Sequence, residues 1–489
     1  MHTKAIFEHG GSVRCLHDEV NADKSHSTIK NIIIASTTMN ISFHSFLSGF
    51  SKAFRRFPAA AFFFGLLTFF AIYAFYDSPD DEVHFLMLYY PATAAMLNIV
   101  LRLLAESRKN SQRRIPNYLI DAIINFLWFA AALTFKDHFF LDIAWTISAA
   151  VIAFTIFMLI FLIPFCSAKP DDIGFWNHSL DTAAAFLISG ISGAIFAAGL
   201  DLLLFALHIL FDIEIDFKLY VSVVIFCFTF IAPMIFLQFC PEPARESPGR
   251  TDRPGRNGLG LINYIFIPLV AAYLLTLYAY AAQIAIQAEL PRGRVSMLVT
   301  ISMACMLLLI FFLFPVQFRN DAPKFDKQVL KYLPAVFLPL LVLMSIGIGR
   351  RIHDYGVTIE RLYLLVFNIW CYAVCIWLTV SRSRHIWIVP ASFVAILFLT
   401  SVGPQNISSV TRRILVREIA SDIAKYNQDG LAIPLDEDSF YSVIRSADSS
   451  SASRITSKLL YLMETYPEDA VSGLIDSTVT STIVYIVSP

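Results

Sequence analysis

Charged residues are scarce in this sequence: Asp, Glu, Lys and Arg together account for 15% of its 489 positions. Soluble domains have about 25% charged residues. Hydrophobic residues reach 57%, and many of the 44 phenylalanines fall in blocks. This composition argues against an ordinary soluble domain and is typical of a helical protein that crosses a membrane several times.

The sequence also lacks the motifs that most often carry chemistry. It has no Walker loop, no HExxH helix, no GxSxG turn and no paired CxxC. We therefore expect no catalytic residue, cofactor or metal ion, which favours a protein that is not an enzyme. No compact basic segment interleaved with aromatic residues is present either, and this argues against a nucleic-acid partner.

The seven cysteines are scattered, and most lie inside or beside apolar runs. This distribution does not indicate a disulfide framework. Cys371 and Cys375 are four residues apart and share a helix face. A metal or redox pair is one interpretation, but two small hydrophobic side chains packed between helices is the favoured one.

Apolar runs separated by short polar links fill most of the chain. Each run is close to the roughly 20 residues that cross a ~30 Å hydrocarbon core as a helix. This pattern predicts an all-α transmembrane bundle of about eleven spans. The runs cover residues 58–76, 83–104, 118–135, 139–163, 182–211, 219–239, 261–286, 295–318, 329–349, 362–381 and 385–402.

Lysine and arginine are concentrated in alternate links between the runs, and the intervening links are acidic or poor in basic residues. The first set includes Arg55 and Arg56, and the second set begins with the acidic residues 77–82. Because basic loops stay in the cytoplasm, this asymmetry predicts a cytoplasmic N-terminus. An odd number of spans then places the C-terminus on the outside.

Changes in composition divide the chain into five segments. Residues 1–57 are expected to form a cytoplasmic N-terminal segment, of which residues 1–38 are interpreted as an over-extended start. Residues 58–239 contain six spans, residues 240–260 form a Pro/Gly/Arg-rich cytoplasmic loop, and residues 261–403 contain five more spans. Residues 404–489 are expected to form a small, mainly helical module outside the membrane.

Several short motifs occur in a fixed order along the chain. They are Arg56-Phe57-Pro58, Pro268-Leu269 with Tyr273, Tyr278 and Tyr280, Leu290-Pro291-Arg292-Gly293, Pro315, Arg351-Ile352, Tyr355-Gly356-Val357-Thr358, Arg361 and Trp370. In this order they resemble a bacterial family of multi-pass membrane proteins known only as domain of unknown function 4153. The resemblance covers roughly residues 50–425 and implies a bacterial inner-membrane protein, but it implies no activity. Together with the charge asymmetry of the links, it places the expected C-terminus in the periplasm.

Residues 350–361, with the sequence RRIHDYGVTIER, form the most polar link in the second half of the chain. Gly356 allows the positive φ that a tight reversal between two helices needs. Asp354 or Thr358 can cap the following helix by accepting hydrogen bonds from its free N–H groups. The favoured interpretation of the link is therefore a structural connection.

The same link carries a cluster of positive side chains that a turn does not require. Arg350, Arg351, His353 and Arg361 are expected on the outer face, against the general charge trend. Such a cluster can hold a phosphate or carboxylate, which favours an anionic lipid headgroup or a small anionic solute as ligand. Catalysis by His353 and Asp354 is the third interpretation.

Asp201 lies well inside the fifth apolar run. A carboxylate near the middle of a membrane helix costs about 2.5–3.5 kcal/mol on insertion scales, so it usually faces protein or water. His208, seven residues later, falls on the same helix face. One interpretation is a proton or cation site, and the other is a protonated Asp201 hydrogen-bonded to a neighbouring span, for example to Asn98, Asn125 or Asn368.

Three functional hypotheses follow. The leading one is a permease-like protein that transports a solute without ATP hydrolysis, with Asp201 in its interior. The second is an envelope scaffold or sensor whose spans anchor the periplasmic module for a protein partner. The third is a membrane enzyme that acts on lipid-linked substrates. All three require contact with the lipid bilayer.

Overall fold

The structure is a computed structural model, and it describes residues 48–107, 114–139, 142–163, 172–242, 262–287, 295–319, 322–403, 405–426, 434–466 and 470–476. The predicted N-terminal segment up to residue 47 and positions 243–260 of the predicted Pro/Gly/Arg-rich loop lie outside the described residues. Within the described part the fold is all-α, which confirms the predicted class. Its single β feature there is an isolated bridge between Leu435 and Ile475.

Besides a helical stretch at residues 48–56, the described residues contain eleven bundle helices and three further helices in the C-terminal part of the chain. The bundle helices are α1 Pro58–Asp77, α2 Asp81–Ser107, α3 Arg114–His138, α4 Ile143–Leu162, α5 Asp172–Phe211, α6 Phe217–Phe239, α7 Ile267–Gln287, α8 Val295–Leu313, α9 Lys324–Tyr355, α10 Ile359–Ser381 and α11 Ile388–Ser401. The C-terminal helices are α12 Ile407–Tyr426, α13 Glu437–Ser446 and α14 Ser449–Thr465.

Ten helices in the described residues, α1 to α10, are long and apolar enough to cross a membrane. Large apolar side chains such as Leu187, Ile195 and Leu202 are exposed on their outer faces. The outer surface of the bundle therefore suits contact with lipid rather than water. α11 is apolar but has only 14 residues, which is a length of about 21 Å.

One end of the bundle is held together around Arg56, and we call it the Arg56 end. Arg56 Nη2 lies 2.8 Å from Glu106 Oε2 at the end of α2, and Arg56 Nη1 donates to the Cys240 carbonyl just after α6. At the same end, Trp176 Nε1 in α5 donates to the Phe311 carbonyl near the end of α8 at 2.7 Å. These contacts join helices from both halves of the chain.

The opposite end lies around Gly356 between α9 and α10, and we call it the Gly356 end. Here Ser401 at the end of α11 accepts a 2.8 Å bond from Ser148 near the start of α4, and its hydroxyl lies 2.8 Å from that of Tyr363 near the start of α10. At the other end of α11, His385 N donates to Asp172 Oδ2 at the start of α5. α11 therefore extends from the Arg56 end towards the Gly356 end, although its 14 residues are fewer than those of the ten helices long enough to cross a membrane.

Two apolar clusters form the interior of the bundle. The first lies among α1, α2, α4 and α6, around Phe57, Ile99 and Leu237. The second lies among α7 to α11, around Phe337, and includes Trp176 from α5. Because the first half of α5 packs into the second cluster, the two halves of the chain share a core.

Irregular turns interrupt two neighbouring helices. A π-helical turn, Cys227–Ile231, lies inside α6, and a second, Ile262–Phe266, leads directly into α7. Such turns occur rarely and are frequent at functional sites. α9 contains Pro334 and Pro339, neither of which can donate a backbone hydrogen bond.

Two helices extend further than the apolar runs predicted. α5 begins at Asp172 rather than near residue 182 and has 40 residues, a length of about 60 Å. α9 continues to Tyr355, and α10 begins at Ile359, so only residues 356–358 separate them. The polar link predicted over residues 350–361 is therefore mostly helical, because polar residues continue the helix beyond the apolar run.

The three C-terminal helices form a module at the Gly356 end. Their core includes Leu415, Ile419 and Leu459, and Ile359 at the start of α10 packs into the same cluster. Asp436 and Asp448 cap α13 and α14 by accepting bonds from the backbone of Ser439 and Ser451. The module is thus docked on the bundle through apolar contacts and is not an unattached tail.

Candidate functional site

Asp201 lies on the face of α5 that packs against α6. Gly193 and Ala197, eight and four residues earlier, share this face and are buried. A Cβ at Gly193 would lie 2.8 Å from the Ala232 Cβ and 3.5 Å from the Cys227 carbonyl oxygen. The small residues therefore let α5 approach the π turn of α6 closely, and Asp201 continues that contact line.

The Asp201 carboxylate is incompletely satisfied. Its Oδ1 atom is buried and has no hydrogen-bond partner, although the residue as a whole is half-buried. The carboxylate is close enough to the Cys227 thiol in the π turn to interact with it electrostatically. A buried oxygen without a donor is costly, so it can accept a proton or contact a cation.

The asparagines considered as partners for Asp201 bond elsewhere. Asn98 and Asn125 exchange two amide hydrogen bonds, of 2.8 and 3.1 Å, between α2 and α3. Asn368 donates to Ser345 Oγ at 2.6 Å between α10 and α9. None of these three example partners is therefore bonded to Asp201.

His208 shares the face of Asp201 but has a local partner. Its Nδ1 lies 2.7 Å from the Ile213 carbonyl oxygen just after α5, and because a carbonyl only accepts, Nδ1 is the donor. The ring is exposed at the end of the helix. The contact closes the turn between α5 and α6.

The link between α9 and α10 adopts the turn geometry that its sequence predicts. Gly356 has φ +78°, and its N–H donates to the Ile352 carbonyl at 2.9 Å, which ends α9. Thr358 is the N-cap of α10, and its hydroxyl accepts from Arg361 N. Arg361 Nη1 in turn donates to the Gly356 carbonyl at 2.6 Å, so this guanidinium braces the turn.

The predicted positive cluster is spread over two helix ends. Arg350 and His353 are exposed and Arg351 is half-buried in the last turns of α9, whereas Arg361 lies in the first turn of α10. Arg350, His353 and Arg361 also have other interactions. Asp354 is in the last turn of α9, and its side chain lies outside the described part. Anion binding by the four positive side chains stays a prediction.

The C-terminal module covers this link directly. The Lys458 side chain of α14 lies over Gly356, with Cε 3.3 Å from the position of a Cβ there, and its ammonium contacts Glu418 at 2.9 Å and Asp422 at 3.1 Å. Tyr461 OH accepts from Ile359 N at 3.0 Å, and burial raises the pKa of this phenol. The link is therefore a docking site for the module.

The cysteine pair is packed in the helix interior. Cys371 and Cys375 are both buried and not bonded to each other, and Cys375 Sγ lies 4.0 Å from Met303 Sδ. Among the described residues, no group of three or more His, Cys, Asp or Glu side chains could hold a metal ion. The packing interpretation fits these contacts.

Sequence reasoning missed a second incompletely satisfied carboxylate. Asp326, in the first turn of α9, is 1% exposed, and its Oδ1 has no hydrogen-bond partner. Its neighbour is Asn263, in the π turn before α7. Asp326 lies between Lys324 and Lys327 in a polar stretch, which predicts a solvated link residue. No signal in the sequence marks it as buried.

The length of the helices and their apolar outer faces define a polytopic α-helical membrane protein. Within that class, the chain belongs to the family described as Domain of unknown function (DUF4153), whose model matches residues 59–430. The predicted resemblance is thereby confirmed.

One similar protein is the Uncharacterized protein PM1469 of Pasteurella multocida (strain Pm70). It is 29% identical over 172 residues, which cover 34% of this chain and 28% of that protein. The match thus spans less than a third of the relative's length. No solved structure matches the chain.

Proposed function

We propose that the chain is a permease-like protein that moves a solute across the membrane without ATP hydrolysis, with Asp201 as its intramembrane proton or cation site. The observation that carries the proposal is the buried Asp201 Oδ1 without a hydrogen-bond partner. Asp201 lies within α5, ten residues before its end, about 15 Å along the axis. Ionisable groups inside membrane-spanning helices commonly belong to ion or proton pathways.

The π turn of α6 adds to this support. The turn lies where α5 and α6 touch at Gly193, and π turns place backbone groups outside the regular helical bonding pattern. A proton or cation bound to a carboxylate beside such a turn has two kinds of group near it. These are the charged carboxylate and the backbone groups of the irregular turn. In transporters, irregular backbone at membrane depth occurs where it lines a cavity.

We also propose that the protein lies in a bacterial inner membrane with the Arg56 end in the cytoplasm. Arg55, Lys324 and Arg384 are at the Arg56 end, whereas the acidic residues 77–82 and 212–216 are at the opposite end. Basic residues near span ends favour the cytoplasmic side. The C-terminal module would then face the periplasm.

Water access to Asp201 tests the transport proposal. In a background in which the seven native cysteines are replaced, Asp201→Cys should react with a membrane-impermeant maleimide in native membranes. The matched control is Leu202→Cys, whose position is 67% exposed on the outer apolar face of the same helix and should stay unlabelled in lipid. Folding of both variants is checked by size-exclusion chromatography.

If Asp201→Cys stays as unreactive as Leu202→Cys from both sides of the membrane, the transport proposal fails. That result favours the second candidate, an envelope scaffold or sensor, which needs no aqueous path to Asp201. The observation that favours this candidate is the docking of the C-terminal module on Gly356 through Lys458 and on Ile359 through Tyr461.

A further inference from the structure

Asp326 is a buried carboxylate at the Arg56 end of α9. The residue is 1% exposed, and its Oδ1 has no hydrogen-bond partner. It occupies the first helical turn, where the dipole favours a negative charge, but that effect is modest for a group removed from water. Burying an ionised carboxylate without a countercharge is much more costly. Among the described residues, nothing bonded to the Asp326 Oδ1 oxygen offsets this cost.

Asn263 is fixed against this carboxylate. Its Nδ2 donates to Asp326 Oδ2 at 3.3 Å, and only the amide nitrogen can donate to a carboxylate. This bond determines the amide orientation and leaves Asn263 Oδ1, which is buried and also without a partner. Two adjacent side chains thus each keep one buried, unpartnered oxygen.

The nearest lysines in the sequence do not supply the countercharge. The Lys327 ammonium donates to the Arg319 carbonyl at 2.7 Å. The Lys331 ammonium donates to the Tyr332 hydroxyl at 3.1 Å. Lys324 is exposed.

We propose that Asp326 and Asn263 form a binding site for a monovalent metal cation of the size of sodium. Carboxylate and amide oxygens are the ligands that hard cations prefer. Bound between the two Oδ1 atoms, the cation would neutralise the carboxylate and satisfy both oxygens. Asn263 lies on the π turn Ile262–Phe266, a type of helical irregularity that is frequent at functional sites.

The charge of the site selects a monovalent over a divalent ion. Asp326 contributes one negative charge, and the described residues contain no cluster of three or more His, Cys, Asp or Glu side chains that could hold a metal ion. A divalent ion would leave an uncompensated positive charge in a buried position, at a cost comparable to that of the empty carboxylate.

The role of this site rests on the proposed transport function, because a bound cation would be the coupling ion. The existence of the site does not rest on that function, because cation binding can be measured without any measurement of transport. Asp326 is at the Arg56 end, whereas Asp201 lies deeper in α5. Failure of labelling at Asp201 and failure of cation binding at Asp326 are therefore separate results.

The test is thermal unfolding of the purified, full-length protein in detergent, with sodium chloride replacing choline chloride at constant ionic strength. A ligand that binds only the folded state raises the Tm in a concentration-dependent and saturable way. We expect a rise of several degrees for the wild type. Asp326→Asn should remove the rise, and Asn263→Ala should move its midpoint to higher sodium concentration.

Asp80→Asn is the matched control, because it makes the same carboxylate-to-amide change at an exposed position and should keep the full sodium response. Asp326→Asn should fold, since it removes a buried charge while keeping the side-chain shape. If it does not fold, the wild-type titration and Asn263→Ala still decide the question. An equal Tm in both salts, or an unchanged response in Asp326→Asn, would overturn the proposal. So would a Tm that responds to pH but not to sodium, because a proton would then occupy the carboxylate.

Discussion

At the scale of single residues, glycine positions on α5 show how closely two helices can pack. Gly193 faces α6, where an added Cβ would lie 2.8 Å from that of Ala232, which is closer than real Cβ atoms approach. Gly190 is three residues earlier on the same helix, and an added Cβ there would meet nothing within 4 Å. The two positions therefore form a matched pair: an added methyl group has no room at Gly193 and has room at Gly190.

Gly193→Ala should destabilise the protein by about 1–3 kcal/mol, because the extra methyl group forces α5 away from the π turn of α6. Gly190→Ala should leave stability unchanged or slightly higher, since alanine favours the helix. Thermal unfolding of both variants in detergent measures the difference. Equal Tm values for the two would mean that α5 and α6 do not touch at Gly193.

Asp201 and Asp326 differ in how visible they are in the sequence. Asp201 is a lone charge inside a long apolar run, so composition alone marks it as unusual. Asp326 lies among lysines at the start of a helix, where an acidic residue is ordinary. Its hydrogen-bond partner Asn263 is 63 positions away, and one sequence carries no information on that pairing.

At the scale of elements, the three-residue link between α9 and α10 joins the bundle to the C-terminal module. Gly356 has φ +78° and ψ −175°, a region that is essentially restricted to glycine. Lys458 lies against it from α14. The backbone of the link and the position of the module are thus coupled at one residue.

Gly356→Ala should destabilise the link by about 1–3 kcal/mol, because alanine is strained in this backbone region and its Cβ would crowd Lys458. The module should then separate from the bundle more often, and a protease should cut between α11 and α12 faster. Gly349→Ala is the control, since a Cβ there has open space within α9. Identical cleavage rates for the two variants would argue against coupling through Gly356.

The link also shows what local sequence can and cannot predict. Gly356 and Thr358 have the residue types that a turn and a helix cap need, and both occupy those positions. Lys458 and Tyr461, which cover the link, lie about 100 positions later in the sequence, so the link's own sequence does not predict these contacts. Arg361, predicted as part of an anion site, also donates to the Gly356 carbonyl, and the sequence did not predict this contact.

At the scale of the whole molecule, apolar run length predicted an all-α bundle of about eleven spans, and ten of the described helices are long and apolar enough to cross a membrane. It succeeded because each crossing must satisfy its backbone internally, which leaves a strong and simple pattern. It did not give the 40-residue length of α5 or the shared core around Trp176, because polar helix extensions and contacts between helices have no comparable pattern.

The contacts between helix ends divide these ends into two sets, one at each end of the bundle. Contacts at Arg56, Trp176 and Asp172 gather one set of ends, and contacts at Ser148 and Ser401 gather the other. The C-terminal module lies with the second set. If the Arg56 end is cytoplasmic, as we propose, the module faces the periplasm, because it lies at the opposite end of the bundle.

The side of the membrane on which the C-terminal module lies is the most direct test of this account. Full-length chains are fused after residue 489 either to alkaline phosphatase, which is active only in the periplasm, or to green fluorescent protein, which is fluorescent only in the cytoplasm. The account predicts an active phosphatase fusion and a dark fluorescent-protein fusion, with the opposite pattern for insertions at residue 250. A fluorescent C-terminal fusion with inactive phosphatase would contradict it.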